Sequence, residues 1–188
     1  MRHLRTRIGI AAIVACLSWI SPGLVHGQTS YPMLNRVEPV AVSRGRTTEI
    51  LISGDQNFGG ASSLLTEPNG LIGEIIGEVK DDRVPSRGRR KGNRKPRVSI
   101  KGKLTVAPDA PLGPREIRVG TPQGVSSVGL VVVVDAPVVS EADDRSNNQP
   151  VGAEDLSMPS VIAGKIGIAE DVDWYTFEGK AGREVVFE

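Results

Sequence analysis

Short runs of alternating apolar and polar residues, separated by clusters of Gly and Pro, dominate the chain after about residue 30. A period of two is typical of a strand that buries one of its faces. The runs are 36–42, 47–54, 98–106, 115–119 and 125–134. Pro39 makes the first run an edge strand or a bend. No stretch keeps a helical period over more than three turns, so the pattern predicts an all-β sandwich across residues 28–136.

Turn-forming residues connect these runs in a recognisable order. The residues concerned are Pro39, Gly45, Ile52, Gly54, Phe58, Gly113 and Gly124. In this order they resemble the immunoglobulin-like IPT/TIG domains. The resemblance implies an immunoglobulin-like sandwich that serves as a spacer or a ligand-binding module and shares no catalytic residues.

A second alternating segment covers residues 171–177, where Asp173, Tyr175 and Phe177 interleave with Val172 and Trp174. A turn at 179–182 follows, and a new strand is predicted at 184–188. Two or three strands bury too little apolar surface to be stable alone. We therefore expect the sequence to be the N-terminal part of a longer protein.

Residues of this second segment resemble the bacterial pre-peptidase C-terminal (PPC) domain over about residues 140–188. The matching positions are Asp171, Asp173, Tyr175, Phe177, Ala181 and Gly182. The family usually has Gly before the first Asp, where this chain has Glu170. The resemblance implies an incomplete, jelly-roll-like β-sandwich of the kind that accompanies secreted proteases and other exported proteins.

The N-terminus has the features of a signal peptide. Arg2, Arg5 and Arg7 precede an apolar stretch at 8–20, and small residues offer cleavage near Gly27. Such a stretch is shorter than the roughly 20 residues that span a bilayer. We expect an exported protein, extracellular, periplasmic or on the cell surface, with lipidation at Cys16 as an alternative.

These features predict four regions. Residues 1–27 form the signal peptide, and residues 28–136 form the immunoglobulin-like domain with a basic insertion loop at 83–97. Residues 137–160, polar and acidic, form a linker. Residues 161–188 begin the PPC-like sandwich.

Signal cleavage restricts the available chemistry, because Cys16, His3 and His26 are the only Cys and His residues of the chain. The segment after Gly27 then has no thiol and no imidazole, which excludes a Ser-His-Asp triad, a Cys-His pair and a His-ligated zinc site. Its net charge of about −2 and its few aromatic residues give no indication of nucleic-acid binding.

A basic run between residues 83 and 97 contains eight positive residues and no acid. We predict that it binds an anionic partner, such as an acidic polysaccharide, by charge attraction. The candidate residues are Arg87, Arg89, Arg90, Lys91, Arg94 and Lys95. The alternative is a solvated insertion, because long surface loops cost little.

An acidic set near the C-terminus predicts a calcium site. In an extended segment Asp171 and Asp173 point to one side, and linker residues could approach them. The candidate ligands are Asp143, Asp144, Asn147, Asp171 and Asp173, with Glu141 nearby. Oxygen ligands without His or Cys suit calcium, and the resemblance to PPC-like domains of bacterial collagenases implies the same use. The alternative is a turn that hydrogen-bonds backbone amides.

Taken together, the sequence predicts a non-catalytic, exported segment of a larger secreted protein that acts in binding, adhesion or substrate presentation. The partner would be an extracellular polymer or protein, with calcium as the candidate cofactor. Two alternatives stay open: the N-terminal part of a secreted hydrolase, such as a peptidase, with its catalytic domain beyond residue 188, and a structural envelope protein. Trp174, on the face opposite Tyr175, packs against a neighbour or stacks on carbohydrate.

Overall fold

The structure, a computed structural model, describes residues 31–55, 57–81, 97–141, 147–165 and 171–187. Regular secondary structure in these residues consists of strands and one short 3-10 turn, which confirms the predicted all-β class. No helix in these ranges is long and apolar enough to cross a membrane. The predicted signal peptide and basic loop residues 83–96 lie outside the described residues.

The first sheet contains five antiparallel strands. They are β1 (Met33–Glu38), β3 (Thr47–Asp55), β5 (Leu71–Ile75), β6 (Lys80–Asp81) and β7 (Arg97–Val106). The order across the sheet is β1-β3-β7-β5, with β6 also paired to β7. The edges of this sheet are therefore β1 on one side and β5 with β6 on the other.

The second sheet faces the first. Its strands are β2 (Ala41–Ser43), β4 (Ser63–Thr66), β8 (Gly113–Thr121), β9 (Gly124–Val125) and β10 (Gly129–Val134). The order is β2-β10-β8-β4, with β9 on β8 and β2 parallel to β10. In both sheets this is the strand order of an immunoglobulin-like sandwich, with A, B, E and D facing C, F and G.

The core lies between the two sheets and follows the alternation of the strands. Ile50 and Ile52 of β3 are buried, whereas Glu49 and Leu51 between them are exposed. The same alternation supplies the other fully buried side chains. These include Val42, Phe58, Ile100, Leu104, Val106, Ile117, Val119, Val131 and Val133. Burial of this apolar surface is the main favourable contribution to folding.

Phe58, just after β3, closes one end of this core. Its side chain is 1% exposed, and the ring lies directly against Gly54. A Cβ atom at position 54 would overlap both the Phe58 ring and the carbonyl oxygen of Met33. The Ile52, Gly54 and Phe58 spacing seen in the sequence is thus a packing device, in which glycine makes room for the aromatic ring.

Most predicted strands of this sandwich are confirmed, with two interruptions. The run 36–42 divides at Pro39, where the chain leaves β1 and enters β2 in the opposite sheet. The run 125–134 is interrupted at 126–128, where two serine side chains hydrogen-bond to the backbone of other strands. Ser126 Oγ accepts from Val119 N of β8 at 2.9 Å, and Ser127 Oγ accepts from Leu34 N of β1 at 2.8 Å.

Strands β4, β5 and β6 were not predicted. They are only four, five and two residues long, and turn formers such as Pro68 and Gly70 separate β4 from β5. Leu64 and Leu71 are buried nonetheless, because β4 pairs with β8 and β5 pairs with β7. These segments are strands because they pair with β7 or β8, and the pattern of their own residues does not reveal this pairing.

Replacing Ser127 with alanine is expected to lower the free energy of unfolding by about 1–2 kcal/mol. Its hydroxyl accepts from Leu34 N at 2.8 Å and donates to Leu34 O at 3.1 Å, so the substitution removes both partners of one strand residue. Urea denaturation measures the difference. Ser62→Ala, at an exposed loop serine, is the control and should change stability by less than about 0.5 kcal/mol. Equal effects of the two substitutions would contradict this role.

The C-terminal residues form two separate parallel strand pairs. Strand β11 (Val138–Ser140) pairs with β13 (Val161–Ala163), and β12 (Glu154–Leu156) pairs with β14 (Tyr175–Phe177). A 3-10 turn at Pro150–Gly152 precedes β12. The segment predicted as linker thus contains two strands, since β13 and β14 supply backbone partners that local sequence does not reveal. The domain boundaries stay a prediction.

The period of two predicted for residues 171–177 is visible as burial over residues 171–175, but not at Phe177, which is exposed. Asp171, Asp173 and Tyr175 are partly buried, whereas Val172 and Trp174 are exposed. Only Tyr175–Phe177 is a strand, because only these residues have a paired neighbour in β12. The strand predicted at 184–188 is wrong for the described residues 184–187, which have no ladder partner among the described strands.

Candidate functional site

Backbone hydrogen bonds bring three separate segments together around β14. The carbonyl oxygen of Asn147 accepts from Trp174 N at 2.8 Å, and Glu154 N donates to Trp174 O at 3.0 Å. The residue before β14 is therefore held from both sides. This arrangement directs the Asn147 side chain, and the inward side of the 171–175 segment, into one partly buried region.

A group of buried polar atoms occupies this region, and we call it the polar cluster: Asn147, Asp173 and Tyr175. Asn147 is only 3% exposed. The amide oxygen of Asn147 and one carboxylate oxygen of Asp173 are buried without a hydrogen-bond partner in the described part of the chain, and the Asn147 amide nitrogen and the Tyr175 hydroxyl are buried beside them. Each buried polar group left unsatisfied costs about 1–3 kcal/mol, so a feature that satisfies several of them is expected.

Negative charge surrounds the polar cluster. Burial raises the pKa of the Tyr175 hydroxyl above its ordinary value, and the negative charges of Glu141, Asp173 and Glu154 raise it further, whereas a hydrogen bond with the Asn147 side chain lowers it. The Tyr175 hydroxyl therefore stays protonated at neutral pH. Three carboxylates close to one buried position form an environment that favours a cation.

The predicted calcium ligands are only partly brought together. Asn147 and Asp173 both belong to the polar cluster, while Asp171 Oδ1 accepts from Asn148 Nδ2 at 3.0 Å. Asp143 and Asp144 lie outside the described residues. Among the residues with assigned positions, no group of three or more His, Cys, Asp or Glu side chains has a geometry that could hold a metal ion.

Sequence reasoning missed Tyr175 and Glu154 as neighbours of the candidate ligands. Tyr175 could have been found, because the period of two places it on the same side as Asp173. Glu154 could not, since it reaches this region through the pairing of β12 with β14, and parallel pairing between short distant segments leaves no local signal.

The six basic candidates, residues 87–95, lie outside the described residues, but both ends of the segment that contains them are placed. Strand β6 pairs antiparallel with the start of β7, with Lys80 opposite Ser99 and Asp81 opposite Val98. The segment 82–96 therefore joins the two strands of a hairpin. It starts and ends beside the end of β3, because Asp55 is paired with Arg97.

Two other connections lie at this end of the sandwich. One follows β3 and includes Phe58 and Gly60, and the other is the turn between β8 and β9, which includes Pro122. They approach each other closely, since a Cβ at Gly60 would lie 3.0 Å from the Pro122 ring. This end corresponds to the end of variable domains that carries the B–C and F–G loops.

A groove of about 640 Å³ separates the sandwich from the β11–β13 pair. One wall is β1 with the start of β10, and the other is the ends of β11 and β13. Its charged residues are internally paired: Glu38 contacts Arg36 at 2.8 Å and Lys165 Nζ at 3.8 Å, and Glu141 accepts from Lys165 N at 2.6 Å. These pairs link the two regions and leave no evident reactive group.

No protein-family model matches the chain, so the PPC and IPT/TIG relationships remain resemblances. No curated protein matches it either.

Two solved structures of adhesins rich in β-strand are similar to part of the chain. One is a point mutant of the SrpA adhesin from Streptococcus sanguinis, with 19% identity, coverage of 66% of this chain and 71% of that chain, and a TM-score of 0.27. The other is the sialic acid binding region of an adhesin from Streptococcus sanguinis SK1, with 11% identity, coverage of 66% and 37%, and a TM-score of 0.28. Similarity at this level supports no inference about function.

Proposed function

We propose that this chain is a non-catalytic binding module of a larger exported protein, and that it holds an extracellular anionic polymer through its basic segment. The observation that supports this most is the pairing of β6 with β7. This pairing attaches both ends of the segment 82–96, which contains seven positive residues, to the end of the sandwich that carries two other loops. Both attachment points of the basic segment therefore lie at one end of the sandwich.

Charge attraction explains how such an end would bind. The six candidates, within nine residues, contribute six positive charges without a compensating acid. Exposed charges of this kind attract a polyanion over about a Debye length, roughly 10 Å at 0.1 M salt. They raise its association rate more than they shape a specific pocket. Acidic polysaccharide of the cell surface or the surrounding matrix is the partner class that fits.

The test is the binding of the full chain to immobilised alginate, a polymer of uronic acids. Replacement of the six candidates by glutamine should weaken binding by about tenfold or more at 0.05 M salt, because the attraction is electrostatic. The substituted residues are Arg87, Arg89, Arg90, Lys91, Arg94 and Lys95. Raising the salt concentration to 0.5 M should weaken the wild-type chain to the same degree.

A matched control removes six positive charges elsewhere. The replaced residues are Arg36, Arg44, Arg46, Lys101, Lys103 and Lys180, again changed to glutamine. Equal loss in both variants would mean that net charge alone governs binding, and unchanged affinity at high salt would mean that the basic segment is not involved. Either result overturns the proposal.

We also infer a calcium site at the polar cluster, formed by Asn147, Asp173 and Asp171 together with Asp143 and Asp144. The supporting observation is that the Asn147 amide oxygen and one Asp173 carboxylate oxygen are buried without partners. Calcium takes six to eight oxygen ligands and accepts amide and carboxylate oxygens together. The described residues supply part of such a set, and stability against calcium concentration is its test.

A further inference from the structure

Trp174 is exposed and yet firmly positioned. Its side chain is 44% exposed, although tryptophan is among the residues most often used to bury area. Its backbone N–H and C=O are both bonded, to Asn147 O at 2.8 Å and by Glu154 N at 3.0 Å. The indole therefore projects outward from a segment tied on both sides.

Polar groups that can bind hydroxyls lie along the same outward side. Thr176, two residues on, is also exposed, and it lies opposite Asp155 in the pairing of β12 with β14. Its hydroxyl donates to the Asp155 carboxylate. We call this outward side the tryptophan face: Val172, Trp174, Thr176 and Asp155. It combines an aromatic surface with a hydroxyl and a carboxylate that are already oriented towards each other.

We propose that the tryptophan face is a subsite for a neutral hexopyranose sugar within an oligosaccharide. The apolar C–H face of a pyranose ring matches the flat indole, and aromatic side chains bind such surfaces by burying area with few rotatable bonds. Asp155 accepts hydrogen bonds from ring hydroxyls, and carboxylate acceptors form stronger bonds than neutral ones. No covalent step is involved.

The surrounding charge selects among sugars. The carboxylate of Asp155 belongs to the face and is exposed. It repels an anionic sugar such as a sialic acid or a uronic acid. The tryptophan face is thus a neutral-sugar site, separate from the basic segment and opposite to it in charge preference. The inference rests on the proposed role of the chain as a binding module and names a second ligand class for it.

Isothermal titration of the full chain with chitohexaose and with cellohexaose tests the inference. At least one of these neutral oligosaccharides should bind, and Trp174→Ala should weaken binding by about tenfold, which corresponds to about 1.4 kcal/mol. Trp174→Phe keeps an aromatic ring and should retain most of the affinity. Asp155→Asn should weaken binding without removing the stacking surface. The acidic trisaccharide 3'-sialyllactose should bind more weakly than either neutral sugar.

Val151→Ala is the matched control, because Val151 belongs to the same C-terminal region and is 94% exposed. It should leave affinity unchanged. Wild-type affinity in both Trp174→Ala and Asp155→Asn would overturn the inference, as would the absence of binding to both neutral sugars or a preference for 3'-sialyllactose. If Trp174→Ala does not fold, wild-type affinity in Asp155→Asn by itself overturns the inference. Alginate binding that persists while neutral sugars fail refutes the sugar subsite alone, whereas loss of both refutes the proposed function as well.

Discussion

Replacing Phe58 with alanine is expected to lower the free energy of unfolding by about 4 kcal/mol. The ring is 1% exposed and fills the end of the core between the two sheets. Its removal loses the transfer free energy of the aromatic group and leaves a cavity that Gly54, which has no side chain, cannot fill. The neighbouring strand β3 is paired on both sides, so the backbone has little freedom to collapse into the space.

Urea denaturation followed by far-ultraviolet circular dichroism measures this difference. Leu65→Ala is the control, because Leu65 belongs to β4 of the same sandwich but is 44% exposed. It should cost less than about 1 kcal/mol. A loss below about 1.5 kcal/mol for Phe58→Ala would show that the end of the core is loosely packed and that the Gly54 contact contributes little.

Calcium at one hundred times its dissociation constant is expected to raise the free energy of unfolding of the C-terminal region by about 2.7 kcal/mol. The ion would supply a partner to buried oxygens of Asn147 and Asp173 that have none in the described chain. It would also offset the negative charges of Glu141 and Glu154 near Tyr175. An ion that the folded state binds and the unfolded state does not bind would stabilise the fold by mass action.

Thermal unfolding of the full chain at increasing calcium, with chelator as the baseline, measures this effect. Asn147→Ala and Asp173→Asn should each abolish most of the stabilisation. Asn35→Ala, at an exposed asparagine of β1, should preserve it. Magnesium should stabilise less, because it demands a tighter octahedral geometry. A calcium effect of equal size in Asn147→Ala would place the ion elsewhere, and no effect in the wild-type chain would refute the site.

The sandwich was largely predictable because its central strands carry a strong period of two. In β3, Ile50 and Ile52 alternate with exposed residues, and β7 and β8 show similar alternation. Turn residues between the runs divided the chain correctly at several points. What the pattern could not predict is that β2 lies parallel to β10 in the opposite sheet from β1, because a bend at Pro39 indicates a change of direction but not the partner that follows it.

In the C-terminal region, the sequence predicted which side chains share a face of the strand but not which strands pair. The alternation of residues 171–175 placed Asp171, Asp173 and Tyr175 on one side and Trp174 on the other, as the burial of these residues confirms. The pairing of β14 with β12 had no local signal, since β12 is a short acidic segment without alternation. The strand predicted at 184–188 is wrong for the opposite reason: residues 184–187 have strand-forming composition but no paired neighbour among the residues that the structure describes.

Local pattern therefore specified the all-β class, the faces of the main strands, the loss of His and Cys with the predicted signal peptide, and the concentration of positive charge in one segment. Side-chain alternation and composition are properties of neighbouring residues, and the sequence displays them directly. Tertiary structure alone determined which strands pair, where both ends of the basic segment are attached, and how Asn147 comes to lie beside Asp173 and Tyr175. These features arise from contacts between residues far apart in the chain, whose free energy exists only once the sheets have formed.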